Sequence, residues 1–356
     1  MREKKVLIWS KAISNLRDGN ASGIAVQLYF WAQTFANHDW QVTTLTPHKS
    51  FTKEGIRFRH ESRWGKREIV HEWLSILWTL LTLRPQVVIS RGAGRIAYPL
   101  AILSRWLGVK YVYFGASDVN FEPGKELIAG GEHNGKQWQK AVGSIKYIVV
   151  QNAYQQETLK KNYQKNSLTL FNLWGDVEAT MVSDFHTDVV WVANLFRLKR
   201  AEWMVSAAKA LPQYDFTIVG GPTGREREYY DEIEKMSFGI GNLHFLGKKS
   251  FAETNAIVSK SQLLCCTSTF EGFPNTFLQA WASGIPVVST VDPSDVIITN
   301  NLGKIVGNCE DFIKAIQEML EDKGSYLNIC TQVEKYFKLN HSAENNYRKL
   351  MDYITR

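Results

Sequence analysis

A chain of 356 residues, 44% hydrophobic and 22% charged, is long enough for two globular domains of ordinary composition. No apolar run reaches the ~18 residues that a membrane-crossing helix needs. The opening MREKKVLIWS reads as a first strand rather than a leader, so the chain is expected to stay in the cytoplasm where it is made.

The net charge of +7 is unevenly spread: residues 1–180 carry 24 Lys+Arg against 14 Asp+Glu, and the rest carry 18 against 21. That imbalance predicts an anionic partner for the first half, or serves solubility alone. Nucleic acid is the least supported partner, because no recognition module accompanies the charge. A phospholipid surface or a diphosphate-bearing acceptor fits better.

In chain order, short apolar β-rich runs at Val6–Ser10, Val42–Thr46, Val87–Ser90, Tyr111–Gly115 and Tyr147–Gln151 predict strands, with helices at Ile24–Asn37 and Ile96–Leu107. The rhythm restarts with strands at Val189–Ala193, Phe216–Val219, Leu243–Leu246, Leu263–Thr267 and Pro286–Thr290. Helices between them are predicted near Ala201–Leu211, Arg225–Met236, Phe251–Ser259 and Thr276–Ser283. Strands apolar on both faces and separated by helices imply parallel sheets covered on each side. Two such series predict an α/β protein of two facing Rossmann-like domains, 1–175 and 176–339, with a cleft between them as the natural ligand site. A last helix within 340–356 is expected to pack back onto the first domain. Of the four cysteines, Cys265 and Cys266 are neighbours in one strand and Cys309 and Cys330 are isolated; none has metal-ligand spacing, so all four read as free thiols.

The most informative stretch runs from Thr267 to Trp281. A strand ends at Ser268, a loop carries Glu271, Gly272, Phe273 and Pro274, and a helix opens near Asn275 and Thr276. This order puts one carboxylate at a strand mouth beside free helix N–H groups that suit a phosphate or sugar hydroxyls. Gln279, early in that helix, reaches toward the same ligand. In the first half, Gly19-Asn20-Ala21-Ser22-Gly23-Ile24 joins strand to helix, where Ser22 and Gly23 either offer backbone N–H groups at a helix N-terminus or form a plain flexible turn.

The second half resembles the retaining glycosyltransferases of family 4, which have the GT-B fold. The residues that carry the resemblance are Ser268, Glu271-Gly272-Phe273 and Gly284-Ile285-Pro286-Val287-Val288. Preceding them in the family's order are Ala193 to Arg200, Gly220-Gly221-Pro222 and Leu246-Gly247-Lys248. The resemblance implies that Glu271 contacts the donor sugar and that Lys199 neutralises the donor diphosphate, with Arg197 or Arg200 adding a second charge. It places Asn194, Gly220, Gly221, Lys248 and Ser268 around the nucleotide, and puts the 19–24 loop near the phosphates. The chain departs from the family at Gln279, where a second acid is usual for the ribose, and at Ala193-Asn194, where Gly-Arg is usual. The histidine of many relatives is absent after the fourth strand, leaving Asp118 as the acceptor-facing candidate and His133 as a second.

The implied function is retaining transfer of a sugar from a nucleotide-diphosphate sugar to a lipid-linked or oligosaccharide acceptor in polysaccharide synthesis. No Asp-x-Asp motif is present, so no metal and no other cofactor is expected, and fixed cations must stabilise the departing diphosphate. A GT-B epimerase would instead act on the nucleotide sugar alone, and a non-catalytic nucleotide-sugar-binding partner would turn nothing over. The segment from Lys66 to Arg84 is a Trp-bearing helix, apolar nearly all round and flanked by Arg57, Arg59 and Arg63. Such a helix is either buried against a sheet or laid on an anionic bilayer.

Overall fold

The computed structural model describes residues 3–10, 13, 23–60, 69–124, 131–175, 187–222, 224, 226–271 and 273–356, without the side chains of 69 and 131–134. The chain divides into two compact units, Met1–Gly175 with Ser342–Arg356, and Asp176–His341.

Unit 1 begins with β1 (Lys5–Ile8), α1 (Gly23–Asn37) and β2 (Gln41–Thr46), followed by an edge pair, β3 (Phe51–Lys53) and β4 (Ile56–His60). It continues through α2 (Ile69–Leu83), β5 (Val87–Arg91), α3 (Ala97–Trp106) and β6 (Lys110–Phe114). The last elements before the second unit are α4 (Gly131–Ser144), β7 (Tyr147–Val150), α5 (Ala153–Tyr163) and β8 (Leu168–Thr169). The sheet order is β3-β4-β2-β1-β5-β6-β7-β8. All pairs are parallel except β3 with β4, whose antiparallel register stacks Phe51 on Phe58 at 4.3 Å. The central strands bury both faces (Leu7, Ile8, Val88 and Ile89 are fully enclosed), which is the packing that parallel sheets require.

Helix α2 divides its apolar surface. Ile76, Thr79 and Leu80 face the core, whereas Val70, Leu74, Trp78 and Leu81 are 64%, 54%, 63% and 47% exposed. Its outer face therefore carries large apolar side chains where a water-facing helix carries charge. Between α2 and β4 lies a cavity of about 480 Å³, lined by Leu45, Leu77 and Trp78 and by Arg59, His60 and His71. Among the described residues no helix is long and apolar enough to cross a membrane.

Unit 2 contains β9 (Val189–Val192), α6 (Glu202–Ala210), β10 (Phe216–Val219), α7 (Arg227–Ser237), β11 (Leu243–Phe245), α8 (Phe251–Val258) and β12 (Leu263–Cys266). Then come α9 (Asn275–Trp281), β13 (Val287–Ser289), α10 (Val296–Asn300), β14 (Gly303–Ile305), α11 (Cys309–Glu321) and α12 (Lys323–Asn340). Its strands form one parallel sheet in the order β11-β10-β9-β12-β13-β14.

The chain then returns to unit 1 as α13 (Ala343–Thr355). Ser342 caps this helix by accepting from Asn345 N, and pairs with Trp174 as an isolated bridge. Tyr347 stacks on His38 at 3.7 Å and accepts a hydrogen bond from Trp40 Nε1 at 2.9 Å.

Candidate functional site

The carboxyl ends of β9 and β12 are adjacent, since the two strands pair in register. Beyond β9 the chain makes a single 3-10 turn at Arg197–Lys199 and leaves it through Arg200 in the left-handed conformation (φ 51°). That strained exit is held from several directions. Thr267 Oγ1, just past β12, donates to the Lys199 carbonyl at 2.6 Å and accepts from Trp191 Nε1 at 3.0 Å. Arg200 Nε donates to the Thr267 carbonyl at 2.6 Å while its guanidinium stacks on Trp203 at 4.3 Å. Thr269 N donates to the Leu198 carbonyl at 2.8 Å. This lacing brings together two residues 72 positions apart: Lys199 Nζ is bonded and ion-paired to Glu271 Oε1.

Ser268 Oγ donates to the same Glu271 oxygen at 2.8 Å, so the carboxylate is oriented from two sides. The pair is mostly withdrawn from water, with the Lys199 side chain 14% and the Glu271 side chain 21% exposed. Lys199 also lies over the Phe196 ring at 5.3 Å. A cation so placed can meet an anionic ligand entering beside Glu271, and the carboxylate can accept hydroxyl protons.

A second group gathers at the ends of β9, β10 and β11. Gly220 sits so close to β9 that a Cβ on it would lie 1.8 Å from the Ala193 carbonyl oxygen, so glycine is obligatory there. Gly220 N donates to the Gly247 carbonyl at 2.9 Å, and Gly221 packs against the Lys248 stem. Asn194 is exposed between these turns. Arg197 is not part of either group: its guanidinium pairs with Glu232 of α7 and lies over Tyr229.

Phe273 anchors the loop after Glu271 against His341 and Trp281, at 5.8 and 6.1 Å. Gly272 lies outside the described residues. Pro274 is buried as the N-cap of α9, which Asn275 and Thr276 open, both half-buried. Gln279 is only 6% exposed and donates through Nε2 to Asn255 Oδ1 of α8 at 2.5 Å. The Asn255 Nδ2 is buried with no hydrogen-bond partner.

In unit 1, Asp118 follows β6 at the head of a 3-10 turn and is exposed. It accepts from Asn152 Nδ2 at 3.0 Å and Gln155 Nε2 at 2.9 Å. Gly23 opens α1; Ser22 lies outside the described residues, as does the His133 side chain. Among the described residues no three His, Cys, Asp or Glu side chains gather as metal ligands would.

Sequence reasoning missed Thr267, whose role appears only when β12 is set beside the 197–200 turn. It also missed Asn255, whose partner lies on the next helix. A third, Arg91, ends the buried β5; a lone charge closing an apolar strand was the available signal.

Residues 186–322 match the family model described as Glycosyl transferases group 1. Over 159 residues the chain is 28% identical to the O-antigen biosynthesis glycosyltransferase WbnH of Escherichia coli, a match covering 44% of each protein. HepE of Anabaena, crystallised with UDP, shares the architecture at a TM-score of 0.72 and 12% identity over 99% of both chains. The lipopolysaccharide-biosynthesis glycosyltransferase WaaG does so at 0.65 and 15%, over 98% of this chain and 99% of its own. The fold is GT-B. Within this GT-B chain, the Lys199–Ser268–Glu271 cluster and the Gly220–Lys248 group both fall inside the matched segment.

Proposed function

We propose that the protein is a retaining, metal-independent glycosyltransferase that moves a sugar from a nucleotide-diphosphate sugar to a lipid-linked or oligosaccharide acceptor in cell-surface polysaccharide synthesis. The observation that carries this reading is the desolvated Lys199–Glu271 pair, oriented by Ser268 at the carboxyl edge of a Rossmann-like sheet. In it, the diphosphate draws the Lys199 ammonium away from Glu271 and onto the leaving oxygens, where a fixed cation offsets the charge that develops as the anomeric C–O bond breaks. Glu271, released from its partner, accepts from the donor sugar's hydroxyls. Arg200 holds the strand ends in register for both. Gly220, Gly221, Lys248 and Asn194 border the nucleotide, whereas Gln279, turned inward onto Asn255, is left out of the contact. Asp118, with Ser22 and Gly23, serves the acceptor.

The relatives support this reading by their names: WbnH acts in O-antigen synthesis and HepE was crystallised with UDP. A melting-temperature screen against UDP-, GDP- and ADP-sugars, followed by transfer to a membrane lipid extract with and without EDTA, tests it. One nucleotide class should raise the melting temperature, and transfer should survive the chelator. No response to any class, or activity lost with EDTA and restored by magnesium, would defeat the proposal.

The same reading sets the outer face of α2 on an anionic bilayer. Val70, Leu74, Trp78 and Leu81 would enter the interface while Arg57 and Arg59 of β4 meet lipid phosphates. At about 1.5–3 kcal/mol per fully buried side chain, the four together supply several kcal/mol. Co-sedimentation with phosphatidylglycerol vesicles should be lost in a Leu74→Glu/Trp78→Glu variant of unchanged melting temperature. Equal sedimentation of variant and wild type would remove α2 from the contact.

A further inference from the structure

We infer that Arg91 is an anion-binding residue of unit 1, built to receive a phosphoryl group of the acceptor. That an anion binds there stands on geometry alone; that the anion belongs to an acceptor rests on the glycosyl-transfer reading above.

Strand β5 is buried from Val87 to Ser90 and then ends on an arginine. It lies between β1 and β6. From β1 the chain crosses to β2 on one side, whereas β5, β6, β7 and β8 extend the sheet on the other. The boundary between β1 and β5 is thus the point where strand order reverses, and ligands of open α/β sheets settle beyond the carboxyl ends of the strands at that point. Helix α1 opens at the same place. Gly92, next to Arg91, takes φ +83°, and a Cβ on it would lie 3.4 Å from Ile24 Cδ1 in the first turn of α1.

The guanidinium is left short of partners. It has five N–H donors. Nη2 donates to Asn172 Oδ1 at 2.7 Å, whereas Nε is buried with no hydrogen-bond partner. Among the described residues no carboxylate pairs with it. The titratable neighbour that burial sets beside it is Tyr113, a phenol whose own ionisation is pushed far upward by burial, so it supplies no negative charge at neutral pH. The same burial pushes Arg91 down to about 10, which still leaves it charged at neutral pH. Arg91 is half-buried, and a cation whose Nε is sealed from water without a counter-charge is costly to fold around.

Its aim is fixed in advance. Gln27 of α1 exchanges two hydrogen bonds with Leu173, donating from Nε2 to the carbonyl and accepting from the amide, both at 3.0 Å. Trp174 packs on Phe30 at 4.8 Å. The segment carrying Asn172 is therefore clamped to α1, and Asn172 holds one arm of the fork while the rest remains available. A planar fork so held suits the oxygens of a phosphoryl group, and the N-terminal end of the 15-residue α1 adds its own positive potential.

The test uses the full chain with UDP at saturation, so that the proposed donor site is filled, and reads melting temperature against inorganic phosphate. Arg91→Met should melt at or above wild type without phosphate, and lose about tenfold or more in phosphate affinity. Arg91→Lys, which keeps the charge without the fork, should fall between the two. A phosphate response equal to wild type in both variants would overturn the inference, as would an Arg91→Met variant that melts several degrees lower while responding normally. Should Arg91→Met fail to fold, the phosphate affinity of Arg91→Lys decides. Vesicles containing dihexadecyl phosphate form the second arm: binding that weakens with Arg91→Met assigns a lipid-borne phosphate, and binding that does not assigns a soluble ester. Failure of wild type to bind any nucleotide would remove the donor-site reading and leave the phosphate titration, run without UDP, to judge Arg91.

Discussion

Neutralising Lys199 and Glu271 one at a time should have opposite effects on nucleotide binding. The two side chains are 14% and 21% exposed and share one ion pair. Breaking a fully buried pair costs about 3–5 kcal/mol, because the surviving charge is stranded. With 14% and 21% of the two side chains still in water, about 1–3 kcal/mol is expected for either Lys199→Met or Glu271→Gln. The double variant strands no charge and should recover most of that loss. For ligand binding the symmetry breaks. Lys199→Met removes charge-assisted bonds to the diphosphate, worth about 1.5–3 kcal/mol, or roughly 10- to 150-fold in Kd. Glu271→Gln removes the competitor for the ammonium, so nucleotide affinity should hold or tighten while sugar transfer is lost. Thermal melts of the four proteins and calorimetric titration with UDP measure both cycles. If Glu271→Gln weakened UDP as much as Lys199→Met, or if the double variant were no more stable than the worse single one, the pair would not be the diphosphate switch described above.

Three further outcomes follow from packing. Gly220→Ala drives a Cβ into the Ala193 carbonyl and should cost about 3 kcal/mol, lowering the urea midpoint by roughly 1 M; an unchanged midpoint would mean the β9 and β10 ends part easily. Gln279→Glu puts an unpaired carboxylate at a position only 6% exposed and should cost about 1–3 kcal/mol, even with the Asn255 amide turned to donate to it; thermal melting checks this, and an unchanged melting temperature would contradict it. Burial pushes the Cys265 and Cys266 thiols upward, so at pH 8 both carry less thiolate than an open cysteine and should react with a thiol reagent only on unfolding. Cys309 and Cys330, each part-exposed, should react first; a single rate for all four in the native protein would contradict the packing.

The strand rhythm of both units was legible because parallel strands buried on two faces are apolar without alternation. The edge pair of β3 and β4 was not, because Ile56-Arg57-Phe58-Arg59-His60 alternates and packs on one side. Helices α11 and α12 also escaped, although Asn308 and Asp322 cap them as a helix start requires. Within the site, the Glu271 loop and Lys199 could be read from resemblance. What holds them together could not, since Thr267 serves Lys199 only through the register of β12 on β9. The resemblance points Gln279 outward to a ribose, whereas its side chain lies buried on Asn255, a partner that depends on how α8 meets α9. The division of α2 into a core face and an exposed apolar face likewise depends on which side the sheet occupies.

The return of α13 to the first unit bears on the order in which the protein is made. Tyr347, Leu350 and Ile354 are buried in a unit whose other residues precede the whole of the second one. On the ribosome the earlier body must therefore wait, with the surface around His38 and Trp40 uncovered, until the later body has been synthesised. Its completion is a late docking step, at which a chaperone or a protease would find the nascent protein most vulnerable.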